Sequence, residues 1–483
     1  MNDLHEVGAR RATADIAVQI VTRILNLALG VVVTLVLVRA LGSRSFGVWS
    51  SIFAITQIAA SFGDLGLNEV AVSKAAGEPA REASWLGSLL SLRLLIGLPI
   101  TLLSVFAVLL IAPGHEGKLA GVLLSLLLMI GAPTALNVVF QLRVRNDISM
   151  VILTLNSVVW AGAVVGVAAA GGGLVAFAGA FAAIAVLTTV LTVVLALRLA
   201  TVHMRGASKF WRPLLRVGVG LGVAGVLVTG YVRLDQILVL ELAGARQAGL
   251  YGAAYRLLDQ VQFIPISVMT TLFPMIAAAY TGNLVRAKGL LQTAGEYLTM
   301  ASLPILAFTI VAAEPIVRLL FGAQFIAAAP AVPILAGAFV SISFGYLAGN
   351  MVVILELQGR FARYAALGLV VNAALNLLLI PRYGFLAAAW VTLVTEVTVM
   401  SLSMRAVLRA LSMTPRFQRI LRTLLAATVM GFVTWIAKTL GVPLAGLVAV
   451  AAVSYLPGLL LLGAIAPGEI KAVLRKDAAS IGA

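Results

Sequence analysis

Apolar blocks of about 20 residues or more, separated by short clusters of Gly, Pro and charged residues, repeat along nearly the whole chain. None of the blocks shows the alternation of apolar and polar positions that a barrel strand needs, so the pattern predicts helices. A helix that crosses a bilayer needs about 20 mostly apolar residues. On that criterion the pattern predicts fourteen spans, near 16–38, 46–67, 84–112, 119–140, 150–170, 174–198, 216–240, 250–276, 296–320, 328–355, 362–381, 384–408, 420–440 and 443–466. The first apolar run is about 23 residues long and lacks a small-residue cleavage site, so it reads as an uncleaved first span rather than a signal peptide.

Composition supports the membrane reading. Hydrophobic residues are 61% of the chain and charged residues 11%, against roughly 45–50% and 25% in soluble domains. The net charge of +16 is scattered between apolar runs, whereas a nucleic-acid reader gathers its cations on one soluble face, so nucleic acid is excluded as a partner. There is no Cys, hence no disulfide or thiolate-bound metal. No connection exceeds about 20 residues, and neither G-x-x-x-x-G-K-[ST] nor H-E-x-x-H occurs, so no nucleotide domain, resident cofactor or metal is expected.

Cations orient the spans, because Lys and Arg stay on the cytoplasmic side of short loops. Of the 34 Lys and Arg, 23 fall in the termini and the loops on one side, seven in the loops on the other, and four, Arg23, Arg93, Arg233 and Arg256, inside spans. Both termini are therefore expected in the cytoplasm, in agreement with an even number of spans.

One short loop is written twice. "LGSRSFGVW" at 41–49 and "AGARQAGLY" at 243–251 superpose at an offset of 202, Gly42 on Gly244, Arg44 on Arg246, Gly47 on Gly249 and Trp49 on Tyr251. They join spans 1–2 and 7–8, and an even separation makes the repeat parallel, with its axis along the membrane normal. The same offset places Gly63 on Pro265 and Gln57 on Asp259. The expected architecture is an all-α polytopic membrane protein: an N-lobe at 1–205, a C-lobe at 206–410, each of six helices, and two further spans with a tail at 411–483. Ordinary easing of helix packing by small residues would also account for the matches.

The stretch "LVRALGSRSFGVWSSIFAITQIAASFGDLGL" resembles the opening of the bacterial polysaccharide-biosynthesis flippases, the Wzx-like branch of the multidrug/oligosaccharidyl-lipid/polysaccharide exporter superfamily. So do "YVRLDQILVLELAGARQAGLYGAAYRLLD", "PIVRLLFGAQF" and the run from Leu355 to Thr392, in the same order, over about residues 10–410. The resemblance implies an undecaprenyl-pyrophosphate-linked oligosaccharide moved from the inner to the outer leaflet of the bacterial cytoplasmic membrane, with the polysaccharide polymerase and export machinery as candidate partners. It implies no enzyme activity. Two lobes rocking about a polar cleft would spare the sugars and phosphates a passage through hydrocarbon that costs several kcal/mol per unpaired group.

Candidate residues follow. Asp15, Gln19, Arg23, Asn26, Gly30 and Thr34 form one helical stripe in span 1, which suits a cleft wall with Arg23 on phosphate, or an interfacial pair whose ends reach water. Arg93 lies about nine residues into span 3, roughly 14 Å deep, and needs an anion there: the substrate, or a structural carboxylate such as Asp64. Arg256, Asp259 and Gln260 share a side of span 8; Asp259 either pairs internally with Arg256 or exchanges partner for a proton or sodium ion. Arg233 and Asp235 in span 7 point apart, so one of them must find a partner elsewhere, with span 8 the nearest source. Glu396 in span 12, among Thr392, Thr395 and Ser403, is a further candidate for ion coupling. Asp64 and Asn68 end span 2 as gate residues or a helix cap. Glu356 and Arg360 read as an interfacial i,i+4 pair, and Asn372 and Asn376 as one face bonding sugar or a neighbouring helix. The main rival is a multidrug antiporter on the same scaffold, which four intramembrane arginines disfavour because they repel cationic drugs. A glycan polymerase or ligase, the second rival, would need a large outer loop.

Overall fold

The computed structural model describes residues 2–465. Among them the chain is helical throughout with no strand, and it divides into two compact units, Met1–Gly252 and Ala253–Ala483.

The first unit holds α1 (Asn2–Asp64), α2 (Leu67–Gly77), α3 (Glu82–Ile111), α4 (Gly114–Ile130), α5 (Val138–Leu142), α6 (Asn146–Ala169), α7 (Leu174–Leu199) and α8 (Trp211–Ala243). It also holds the start of α9 (Ala245–Val261), which continues into the second unit. The second unit adds α10 (Phe263–Gly282), α11 (Leu284–Phe321), α12 (Ala331–Ile354), α13 (Gln358–Tyr383), α14 (Phe385–Ala410), α15 (Gln418–Thr439) and α16 (Leu444–Leu461).

Each of the fourteen expected spans has its helix. Among the described residues twelve stretches are long and apolar enough to cross a membrane, and α4 forms a thirteenth with the segment after it. The long first stretch is not one straight helix: α1 is broken at Gly42, where φ is 66°.

Several boundaries differ from the sequence expectation, each for a local reason. The fourth span is not one straight helix: it bends by 42° after Ile130, where Pro133 cannot donate to the helical ladder. The second ends at Asp64, because Leu65 and Gly66 turn left-handed, at φ 42° and 70°. The eighth breaks at Gln262, since Pro265 has no N–H for the Val261 carbonyl. α12 stops at Ile354 and Glu356 sits at φ 54°, so Glu356 and Arg360 are not on one helix and form no ion pair among the described residues.

Membrane helices invert the usual pattern of burial, because lipid is as apolar as a protein core. In α3, Leu95, Leu98, Leu102, Phe106 and Leu110 form the exposed stripe, while Gly97, Thr101, Ser104 and Val108 pack inward, with Ser104 and Ser125 of α4 bonded through their hydroxyls at 2.9 Å. The core of the first unit gathers Leu67, Leu86, Leu89, Leu136 and Phe140. In the second, Leu291, Leu298, Leu347 and Met351 form one core, and Met430, Tyr455 and Leu459 another that seats α15 and α16 on α11. The Tyr455 hydroxyl donates to the Met300 carbonyl of α11 at 2.7 Å.

Candidate functional site

The repeated loops meet each other within the first unit. Gly42 and Gly244 adopt the same left-handed conformation, φ 66° and ψ 174° against φ 86° and ψ 166°, which only glycine takes readily. Beyond the turns the backbones touch reciprocally. A Cβ on Gly47 would strike the Ala245 carbonyl, and one on Gly249 the Ser43 carbonyl, positions that correspond at the offset of 202. The two copies of the loop therefore close on one another. Next to them Ser51 donates to the Gln236 carbonyl at 2.9 Å, and the Gln236 amide donates to the Ala248 carbonyl at 2.9 Å.

Buried Asp235 on α8 accepts from the hydroxyl of Tyr251 on α9 at 2.9 Å. Span 8 thus supplies the partner, through the aromatic residue of the repeated loop. The equivalent aromatic, Trp49, instead packs with Phe53, Trp160 and Phe181. We expect Tyr251→Phe to lower stability by about 1–3 kcal/mol, the cost of removing a donor from a buried acceptor. Thermal unfolding in detergent checks this, and an unchanged midpoint would mean that the hydroxyl contributes nothing.

Arg93, Asp64 and Asn68 come together. The Arg93 guanidinium pairs with the Asp64 carboxylate through Nη2 and donates from the same nitrogen to the Asn68 amide oxygen at 3.1 Å. The cluster clasps the break at Leu65–Gly66 from the α3 side. On the α8 side, Gly222 lies so close to Leu65 that a Cβ would overlap its backbone, and Gly218 is tight against Leu65 and Leu67. Gly218 and Gly222 form a small-x-x-x-small motif, which is a signal in the sequence for close helix approach.

The other candidates stand apart. The side chain of Arg23 lies outside the described residues. Asn26 donates to Thr154 of α6 at 3.3 Å, and Arg233 is half-buried on α8. In the second unit Arg256 and Asp259 are half-buried on α9; Asp259 accepts from Gln262 at 3.4 Å, and Gln262 accepts from the Tyr346 hydroxyl at 3.0 Å. Glu396 is buried with Thr392 and Thr395 on α14, which packs along α13, where Asn376 donates to Asn372 at 3.0 Å with both fully buried. No group of three or more His, Asp or Glu suited to a metal occurs among the described residues.

Two further charge sites escaped the sequence reading. Glu296 of α11 is buried, and accepts from Arg419 of α15 at 2.9 Å and from Gln292 at 2.9 Å. Gln292 also holds the backbone of Arg416, giving 2.8 Å and receiving 3.1 Å. Between the fourth and fifth spans, Arg143 grips Glu82 with two bonds of 2.9 and 2.7 Å, and that carboxylate holds the exposed guanidinium above its usual pKa range.

The sequence profile of a family described as "Polysaccharide biosynthesis protein" matches residues 36–330. A stretch of 190 residues, 38% of this chain and 37% of its relative, is 25% identical to an uncharacterized membrane protein of Methanocaldococcus jannaschii. Another of 176 residues, 33% and 32%, is 28% identical to the Rhizobium meliloti protein named "Probable lipid II flippase MurJ". The chain thus spans about a third of the length of the curated relatives it matches. Among solved structures, lipid II flippase MurJ in an inward closed conformation superposes with a TM-score of 0.71 at 14% identity, covering 95% of this chain and 98% of that one. An inward-facing multidrug transporter of the MATE family, of the MOP superfamily, gives 0.60 at 16%, covering 81% and 94%. At these identities the likeness is one of fold.

Proposed function

Because the chain belongs to the family of polysaccharide biosynthesis proteins, and has the fold found in a lipid II flippase and in MATE transporters, we propose that it is a flippase and not an enzyme. Its cargo in this reading is an oligosaccharide on undecaprenyl pyrophosphate, moved from the inner to the outer leaflet of the bacterial cytoplasmic membrane by alternating access. Both termini lie in the cytoplasm, and the polymerase and export machinery are the partners that receive the product.

The observation that carries this reading is the retention of Arg93, Arg233 and Arg256 in helices otherwise apolar enough to cross a membrane. An arginine in such a helix is costly unless it meets an anion; Asp64 meets Arg93, and a pyrophosphate is an anion that can exchange for that carboxylate. Guanidinium also matches phosphate geometrically through paired N–H groups. Arg23, Asn26, Arg93, Arg233 and Arg256 are assigned to the head group, and Asp235, Asp259 and Glu396 to coupling with a proton or sodium gradient. Asp64 and Asn68 act as a gate, since their hold on Arg93 must be released before that guanidinium can meet phosphate.

Proteoliposomes containing a fluorescent undecaprenyl-pyrophosphate oligosaccharide test the proposal. Wild-type protein is expected to deliver the lipid to the leaflet reached by an added quencher, faster under an imposed proton or sodium gradient. Asp259→Asn is expected to abolish the gradient's effect. Vesicles that export a cationic dye but leave the lipid in place would overturn the assignment in favour of a multidrug antiporter.

A further inference from the structure

The basic end of α14 carries a cavity outside all the residues assigned above. It is a shallow, open groove of about 650 Å³, lined by the end of α14 and the strap after it. Met400, Met404, Leu408 and Met413 form an apolar wall, and Arg405 and Arg409 stand at its edge. Methionine side chains adapt to irregular, flexible apolar partners.

Charge at the rim has no internal answer. Arg405 and Arg409, four residues apart, share one face of the helix. Neither guanidinium has a hydrogen bond or ion pair among the described residues, and no carboxylate lines the cavity. The negative end of the α14 dipole amounts to about half a charge, so it offsets only part of two cations. Lys288 of α11 adds a third at the rim, its Nζ 3.5 Å from the Ser412 carbonyl. The buried carboxylate on that helix, Glu296, is committed to Arg419 and Gln292.

The rim is also held in place. The strap after α14 bonds back through Met413 N–H to the Leu408 carbonyl at 2.9 Å, and Gln292 clamps Arg416. On the membrane side the exposed stripe Trp390, Val394 and Val397 runs straight into Ser401 and Arg405. The cavity therefore opens onto the surface that lipid covers.

We propose that this cavity seats a resident anionic phospholipid, distinct from the transported cargo. Its phosphate lies against Arg405 and Arg409 and its acyl chain against Met400, Met404 and Leu408. Recognition is of a lipid phosphate, since two guanidiniums above an apolar, lipid-open wall suit an anion that brings its own hydrocarbon.

Native mass spectrometry and thermal unfolding of the full chain in detergent, with added phosphatidylglycerol or phosphatidylcholine, test this. Wild type is expected to retain phosphatidylglycerol at least tenfold better than phosphatidylcholine and to melt later in its presence. Arg405→Ala with Arg409→Ala should lose that preference, while Arg198→Ala with Arg205→Ala, in the other unit, keeps it. Met404→Trp, which leaves the cations and fills the cavity, should also lose the retained lipid, so a poorly folding arginine variant does not decide the matter. Equal retention of the two lipids, an undiminished preference in both cavity variants, or an equal shift from inorganic phosphate overturns the proposal. So does retention that begins only when residues 466–483 are removed, which would make the chain's own end the occupant.

Discussion

Gly249→Val is expected to destabilise the protein by about 3 kcal/mol or more, the upper range for overpacking, because the intruding atoms meet backbone that cannot rotate away. A Cβ there strikes the Ser43 carbonyl, and the facing Gly47 is equally confined, with the Gly249 amide nitrogen 2.6 Å from the place its own Cβ would take. Relief requires the two repeated loops to part, and with them Ser51 from Gln236 and Gln236 from Ala248. Gly179→Ala in α7 is the control: nothing lies within 4 Å of its Cβ, so the helix should gain up to about 1 kcal/mol. Thermal unfolding in detergent separates the two, and a Gly249→Val protein that melts with the wild type would show that the loops do not touch.

Asp64→Ala is expected to cost more than Arg93→Ala, although both break the same pair. The Arg93 side chain is 15% exposed and that of Asp64 49%. Without Asp64, a mostly buried guanidinium keeps one hydrogen bond, to Asn68, and the more distant attraction of Glu69, and its Nε has no hydrogen-bond partner among the described residues. That loss amounts to about 3 kcal/mol, the bottom of the range for a buried charge deprived of its partner. Without Arg93, water satisfies a half-exposed carboxylate at a cost of about 1 kcal/mol. A double-mutant cycle should return a coupling of about 1–2 kcal/mol; strictly additive losses would mean that the two do not interact. In the vesicle assay Arg93→Ala should slow flipping at least tenfold, because the head group loses a cation. Unchanged flipping would remove Arg93 from the mechanism and leave it a structural tie.

Much of the fold was legible in the chain because the bilayer imposes one long-range rule. A backbone in hydrocarbon must satisfy its own hydrogen bonds, so apolar run length alone locates α3, α6 and α7 to within a few residues. Local chemistry also reported some turns: the glycines of the two loops marked theirs. Leu65 gave no such sign. Its left-handed φ of 42° is held from outside by Arg93 and the glycines of α8, and nothing in a leucine announces it.

The candidate site shows the same division. Sequence by itself determined that this chain spans a membrane, that it repeats a loop at an offset of 202, and which few residues put charge where lipid would exclude it. Such facts follow from composition along a line, since hydrophobic length and intrasegment spacing are local quantities. Which charge meets which was decided only by the tertiary structure. Arg93 and Asp64 are 29 positions apart, Asp235 and Tyr251 are 16, and Glu296 and Arg419 are 123. Each pairing depends on how far two helices are turned about their axes, and that rotation is set by the small residues, Gly47, Gly222 and Gly249 among them, that let particular backbones touch.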